Sequence, residues 1–221
     1  MAAWDPIWDD VFRSRSWGKY PKEELVRFIA RRFYGVPDRC AVRILDLGCG
    51  YGAATWYLAR EGFAVSAIDG SRVIIDMLKD RLASEGLSAA LTVGDIVDLP
   101  YPAECFDCVV DLVCLMCNGP DQTKRILDGV LNRLKPGGRL FSVTPTDDCW
   151  GDGLGERIAE CTFRGASEGP FAGTGVARFS TEAQVRDIYR GFAELTLDRS
   201  SYTVGGGAHI LSHWIVEGRK G

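Results

Sequence analysis

The stretch Ile44-Leu45-Asp46-Leu47-Gly48-Cys49-Gly50-Tyr51-Gly52 limits the possible folds more than any other part of the chain. An apolar run broken by one acid leads into three alternate glycines, and Ala53 to Arg60 then reads as a helix. This is a strand, a tight turn and a helix start. Glycine tolerates positive φ and lets a ligand approach the backbone closely. The helix N-terminus adds free N–H groups and a partial positive charge. Such a junction receives a nucleotide-like molecule or an anionic group such as a carboxylate.

A second apolar run, Phe63 to Ile68, also ends in an acid, Asp69, which follows Gly50 by 19 residues. An acid about 20 residues beyond such a turn accepts hydrogen bonds from ribose hydroxyls. A dinucleotide fold would supply the same acid, but its turn is spaced G-x-G-x-x-G, and here it is G-x-G-x-G. Asp46, two residues ahead, suits a cationic amino group and would repel a pyrophosphate.

With these residues the chain resembles the class I S-adenosylmethionine-dependent methyltransferases, over roughly Val42 to Thr144. Asp46 to Gly52 matches their first motif, and Ile68-Asp69-Gly70-Ser71 the second. Val93-Gly94-Asp95-Ile96 matches the third, Phe106 to Asp111 the strand after it, and Leu134 to Leu140 the turn into the fifth strand. The resemblance implies S-adenosyl-L-methionine as cofactor and S-adenosyl-L-homocysteine as product. It implies that Gly48, Cys49 and Gly50 approach the methionine part and that Asp46 helps hold its ammonium. Asp69 would take the ribose hydroxyls, with Gly70 and Ser71 beside the adenine end. Asp95 and the Ile96 backbone would read the adenine edge, and Asp111 would lie near the amino-acid portion. The non-ligand alternative for Asp95 and Asp111 is a turn or cap residue. The fold implied is α/β: a Rossmann-like seven-stranded sheet in the order 3-2-1-4-5-7-6, with only the last strand antiparallel and helices on both faces.

The residues themselves alternate strand and helix, as a parallel sheet requires. Strands are expected near 43–47, 64–69, 89–94, 106–112 and 139–145, then near 194–202 and 209–217. Helices are expected near 53–61, 72–85 and 122–134, with Ser71 and Asp121 as N-caps for the last two. Thr181-Glu182-Ala183-Gln184 has the capping-box form and opens a helix to about Tyr189. Thr203 to Gly207 reads as a hairpin loop.

A chain of 221 residues fits a single domain. We divide it into an N-terminal helical lid (1–41), a cofactor-binding core (42–145), a substrate-pocket insertion (146–180) and a C-terminal helix and hairpin (181–221). In the lid, Trp4, Trp8 and Phe12 recur every four residues and share a helix face. Trp17 to Pro21 breaks that helix, and Pro21 suits the first turn of a second one. Trp17 and Tyr20 are expected to close over the cofactor. The insertion is glycine-rich and too long for a plain connection. Insertions at the carboxyl ends of parallel strands line the ligand crevice.

The net charge of −4 points away from nucleic acid, and no apolar run approaches the ~20 residues needed to span a bilayer. No signal segment opens the chain, so a cytoplasmic protein is expected. Oligomeric state is not readable. Cys105-x-x-Cys108 and Cys114-x-x-Cys117 have zinc-like spacing. Residues three apart on a strand point to opposite faces, so Cys108 is read as a small core residue and no metal is expected.

Methyl transfer from a sulfonium needs alignment more than acid–base chemistry. The two histidines are His209 and His213. The expected topology puts the 203–207 hairpin at the carboxyl-end face. His209 would then lie near the pocket as base or orienting group, and His213 deeper in the sheet. The Asn/Asp-Pro-Pro-Tyr motif of adenine and glutamine methyltransferases is absent; Cys114-Leu115-Met116-Cys117 stands there instead. A small-molecule acceptor, methylated on oxygen or nitrogen, is therefore expected. The alternatives are a nicotinamide-dependent oxidoreductase and a non-catalytic methyltransferase-like binding protein.

Overall fold

The computed structural model describes residues 4–15 and 18–221. A short helix, α1 (Ile7–Ser14), and a longer one, α2 (Glu23–Phe33), precede a 3₁₀ turn at Arg39–Ala41. The core then runs β1 (Arg43–Leu47), α3 (Ala53–Arg60), β2 (Ala64–Asp69), α4 (Arg72–Ser84), β3 (Ala90–Val93) and β4 (Phe106–Leu112). After a second 3₁₀ turn, Leu115–Cys117, come α5 (Pro120–Arg133) and β5 (Leu134–Pro145). Three short strands follow, β6 (Glu156–Ala159), β7 (Thr162–Arg164) and β8 (Val176–Arg178), then α6 (Glu182–Ile188), β9 (Glu194–Val204) and β10 (His209–Arg219).

The main sheet has the order β3-β2-β1-β4-β5-β10-β9. In strand sequence this is the expected 3-2-1-4-5-7-6, and β10 is the strand that runs antiparallel to its neighbours β5 and β9. Alternation along each strand feeds two cores. Ile44, Cys108 and Val110 pack with α2, α3 and α4 on one face. Leu45, Leu47 and Val109 pack with α5 and α6 on the other. Successive strand side chains point to opposite faces, which gives a buried strand two apolar sides.

Ser71 caps α4 by accepting the Ile74 N–H at 3.2 Å. Thr181 and Gln184 form the reciprocal capping box of α6. Three helix starts differ from expectation. α1 begins at Ile7, which leaves Trp4 outside the helix that carries Trp8 and Phe12. α5 begins at Pro120 with Gly119 as its cap, so Asp121 lies in the first turn, where it favours the dipole. α2 begins at Glu23 with Lys22 as its cap, so Pro21 lies outside the helix. β6, β7 and β8 form a separate antiparallel sheet inside the insertion. Their segments are only three or four residues long, which leaves no measurable period. No helix among the described residues is long and apolar enough to cross a membrane.

Two contacts seat α2 on the C-terminal hairpin. Near its end, Arg31 and Arg32 both donate to the carboxylate of Glu217 on β10. Near its start, the Ser200 hydroxyl of β9 donates to Glu24. Lys22 is thereby held at the carboxyl edge of the sheet.

Candidate functional site

A cavity of about 740 Å³ opens at the carboxyl ends of β1, β2 and β4. This is within the usual range for a small-molecule site. Its floor is the turn between β1 and α3. Gly48, Gly50 and Gly52 all have positive φ, at 65°, 47° and 72°. A Cβ on Gly52 would fall 2.1 Å from Leu78 Cδ1, and one on Gly48 would fall 2.0 Å from Cys114 Sγ. At Gly50 the nearest atoms are those of the Phe12 ring, at 3.9 Å, so a side chain there would fill the cavity itself.

Three carboxylates line this end. Asp46 accepts the Thr55 N–H at 2.9 Å and the Thr55 hydroxyl at 2.6 Å, both on Oδ2. Burial drives its carboxyl up to about 7 despite these two bonds. Asp69 accepts the Ser71 N–H at 2.9 Å on Oδ1 and the Gly50 N–H at 3.0 Å on Oδ2. Burial raises this group too. An ionised carboxylate oxygen has two acceptor sites, so each keeps capacity for a ligand donor. Asp95 accepts the Val97 N–H at 3.0 Å and the Trp4 N–H at 3.3 Å. Cys49, Gly70 and Ile96 complete the wall.

Some expected site residues stand elsewhere. Asp111 is fully buried and is absent from the cavity wall. Its Oδ1 accepts the Cys114 and Leu115 N–H groups at 2.9 and 3.1 Å, and its Oδ2 accepts the Ser142 hydroxyl. Burial raises it to about 6. It braces a strained turn, because Val113 adopts φ 68°, a region that β-branched residues avoid. That turn swings Cys114 and Met116 into the cavity. The Ser71 hydroxyl is spent on the α4 cap and on Asp9. Trp17 lies outside the described residues. Tyr20 reaches the cavity mouth, largely exposed, with its ring edge-on to Trp56 at 5.4 Å. Cys105 and Cys108 are buried, and no group of three or more potential metal ligands gathers among the described residues.

Of the two histidines, His213 and not His209 lines the cavity. β5 ends at Pro145, which pairs with His213, so the β9–β10 hairpin extends past the sheet's carboxyl edge. His213 therefore sits at the rim and lines the cavity. His209 is carried four residues further out and stacks on Trp150, with ring centroids 3.9 Å apart. Burial lowers His213 to about 4, and the nearby Lys22 charge adds to this. Lys22 lines the same part of the cavity, and burial lowers its ammonium from the usual range. Sequence reasoning passed over Lys22, which looks like an ordinary polar residue ahead of a helix. Trp4 was read only as part of a helical stripe. The one local signal for it is Gly70, whose added Cβ would sit 1.9 Å from Trp4 Cδ1.

A methyltransferase-domain family model matches residues 44–138. The chain is 36% identical over 104 residues to a cypemycin N-terminal methyltransferase of a Streptomyces species, covering 44% of this chain and 40% of that protein. It is 33% identical over 101 residues to a ubiquinone biosynthesis O-methyltransferase of Coxiella burnetii, covering 46% and 42%. The matched stretch thus spans about two fifths of those relatives' length. Among solved structures, a SAM-dependent methyltransferase from Methanosarcina mazei superposes with a TM-score of 0.67 at 22% identity, covering 80% of this chain and 92% of that one. The 1,6-didemethyltoxoflavin N1-methyltransferase of Burkholderia thailandensis gives 0.65 at 21% identity, covering 90% and 77%. These structural likenesses define the fold.

Proposed function

Because residues 44–138 match a methyltransferase-domain family model, we propose that the chain transfers a methyl group from S-adenosyl-L-methionine to an oxygen or nitrogen of a small molecule. The observation that carries this reading is the convergence of Asp46, Gly50, Asp69 and Asp95 on one cavity with room for both reactants.

The cradle fits the donor on three counts. The space above Gly50 is open where any side chain would close it. Among the described residues, both hydrogen bonds to Asp46 fall on Oδ2, which leaves Oδ1 for an ammonium. Asp69 is anchored by two backbone N–H groups, so its carboxylate is oriented before a ribose arrives. We assign the adenine edge to Asp95 and the Ile96 backbone, which line the same cavity.

When bound, the donor supplies an electrophilic methyl carbon on a sulfonium. The protein's part is to align the acceptor and keep water away. Effective molarities of roughly 10⁵–10⁸ M come from such alignment alone. Phe12 and Tyr51 pack edge-on at 5.4 Å beside the glycine turn, and the Tyr51 hydroxyl donates to the Phe12 carbonyl. This ties α1 across the cavity as its cover.

Calorimetry with purified protein tests the reading. S-adenosyl-L-homocysteine should bind with one site per chain and NAD should not. Binding of NAD alone would transfer the assignment to an oxidoreductase. Binding of the homocysteine product with no methyl transfer to any member of a broad metabolite panel would favour a non-catalytic binding protein.

A further inference from the structure

The far half of the cavity is chemically unlike the donor cradle. Met116, Phe171, Val176 and Leu211 give it apolar walls, and Lys22, Arg164 and His213 supply its nitrogen groups. Among the described residues, neither the Lys22 ammonium nor the His213 ring makes a hydrogen bond or ion pair within the protein. Their one shared charged neighbour is Glu24, felt electrostatically by both, and its carboxylate is engaged by Ser200. Cys149 also faces Lys22, and burial raises that thiol, which keeps it neutral. Asp5 is a further carboxylate of the cavity wall; it lies beside Gly175 and accepts the Ile7 N–H. The part-buried contacts of α2 with Glu217 and Ser200 tie both ends of that helix to the hairpin that carries His213.

Resting on the donor reading above, we propose that the acceptor is an apolar-bodied molecule with an acidic hydroxyl, a phenol or enol, whose oxygen is received between Lys22 and His213. His213 takes the hydroxyl proton, and Lys22 holds the oxyanion. The oxygen lone pair then forms the bond to the methyl carbon. The carbon–sulfur bond breaks with its electron pair going to sulfur, which becomes a neutral thioether. The imidazolium returns its proton to solvent.

Charge selects oxygen over nitrogen. Methylating a neutral amine leaves a cation beside Lys22, in a site where burial already disfavours positive charge. Methylating an oxyanion leaves a neutral ether. The pair is also self-adjusting. Burial first, and the Lys22 charge after it, keep His213 neutral and open as a proton acceptor while the site holds no anion. An anion next to both cancels that repulsion and raises the basicity of the ring.

The test uses 4-nitrophenol, whose anion is yellow, with the full chain saturated by S-adenosyl-L-homocysteine. Below the probe's own midpoint, binding should raise its anionic fraction by about tenfold, the low end of what one adjacent opposite charge does. Carbon-13-labelled histidine should show the His213 ring neutral before the probe and protonated after it. Lys22→Met should abolish the yellow shift with homocysteine-product affinity within twofold of the parent chain. An unchanged or weakened anion band, a His213 ring that stays neutral, or a shift that survives in Lys22→Met overturns the proposal and leaves donor binding standing. Failure of S-adenosyl-L-homocysteine to bind at all overturns the donor reading, and this proposal with it.

Discussion

Trp4 lies directly against Gly70: an added Cβ would fall 1.9 Å from the indole Cδ1 and 2.4 Å from Nε1. The segment leading into α1 is therefore keyed into a notch beside Asp69, and its backbone N–H reaches Asp95. Gly70→Ala should dislodge it. Overpacking typically costs about 1–3 kcal/mol, which corresponds to roughly tenfold or more in a local equilibrium. Amide exchange over residues 4–12 should accelerate by that factor in the ligand-free chain, while β1 and β4 exchange as before. Equal acceleration throughout the sheet would mean that the notch supports the whole fold.

Gly48 is constrained twice, by φ 65° and by Cys114 Sγ lying 2.0 Å from its missing Cβ. Gly48→Ala should lower stability by about 1–3 kcal/mol. Adding Cys114→Ala should recover part of the loss, because it removes the steric component and leaves the backbone component. Denaturant melts of the two single variants and the double variant measure this coupling.

Asp46 sets a pH dependence whose sign follows from burial. Its folded pKa, about 7, lies above the unfolded value of 3.8. The folded state therefore holds the extra proton between those limits, so the group's stabilising contribution is complete below the lower value and is lost as pH rises through about 7. Asp111, raised to about 6, adds to the same trend. Ligand-free protein should thus lose stability between about pH 4 and about pH 7, the span between the unfolded and folded values of the two groups. Affinity for S-adenosyl-L-homocysteine should move oppositely, rising through that window as Asp46 ionises to receive the ammonium. In Asp46→Asn the affinity should be flat with pH and lower by roughly tenfold or more, the worth of a charged hydrogen bond. Calorimetry across the pH range decides between these outcomes.

His209 belongs to the outer hairpin, stacked on Trp150 with the rings 10° from parallel. His209→Ala should cost about 0.5–1.5 kcal/mol of stability and change the environment of Trp150. Product affinity and the response to 4-nitrophenol should be unaltered. A loss of either would return His209 to the functional site.

Several residues of the proposed donor half, among them Asp46, Gly50 and Asp69, line the cavity because of features that are local in sequence. A positive-φ turn, a strand ending in an acid and a helix cap each depend on fewer than about ten neighbouring positions. Asp46, Gly50 and Asp69 could be named from spacing for that reason. Asp111 could not be assigned in this way. An acid at the end of a strand looks the same whether it faces a ligand or braces a turn, and only the strained Val113 next to it shows the difference.

The end of the cavity that holds Lys22 and His213 depends on contacts remote in sequence. His213 reaches the rim because β5 stops at Pro145, and the register that pairs them spans 68 positions (213 minus 145). Lys22 joins it because Glu217 and Ser200 draw α2 onto the hairpin. Periodicity and turn chemistry carry information along the chain, so they specify strands, helices and the order in which they come. How far one strand outruns its neighbour, and which helix end settles above it, follows from packing free energy summed over both cores. No short window of sequence contains that sum.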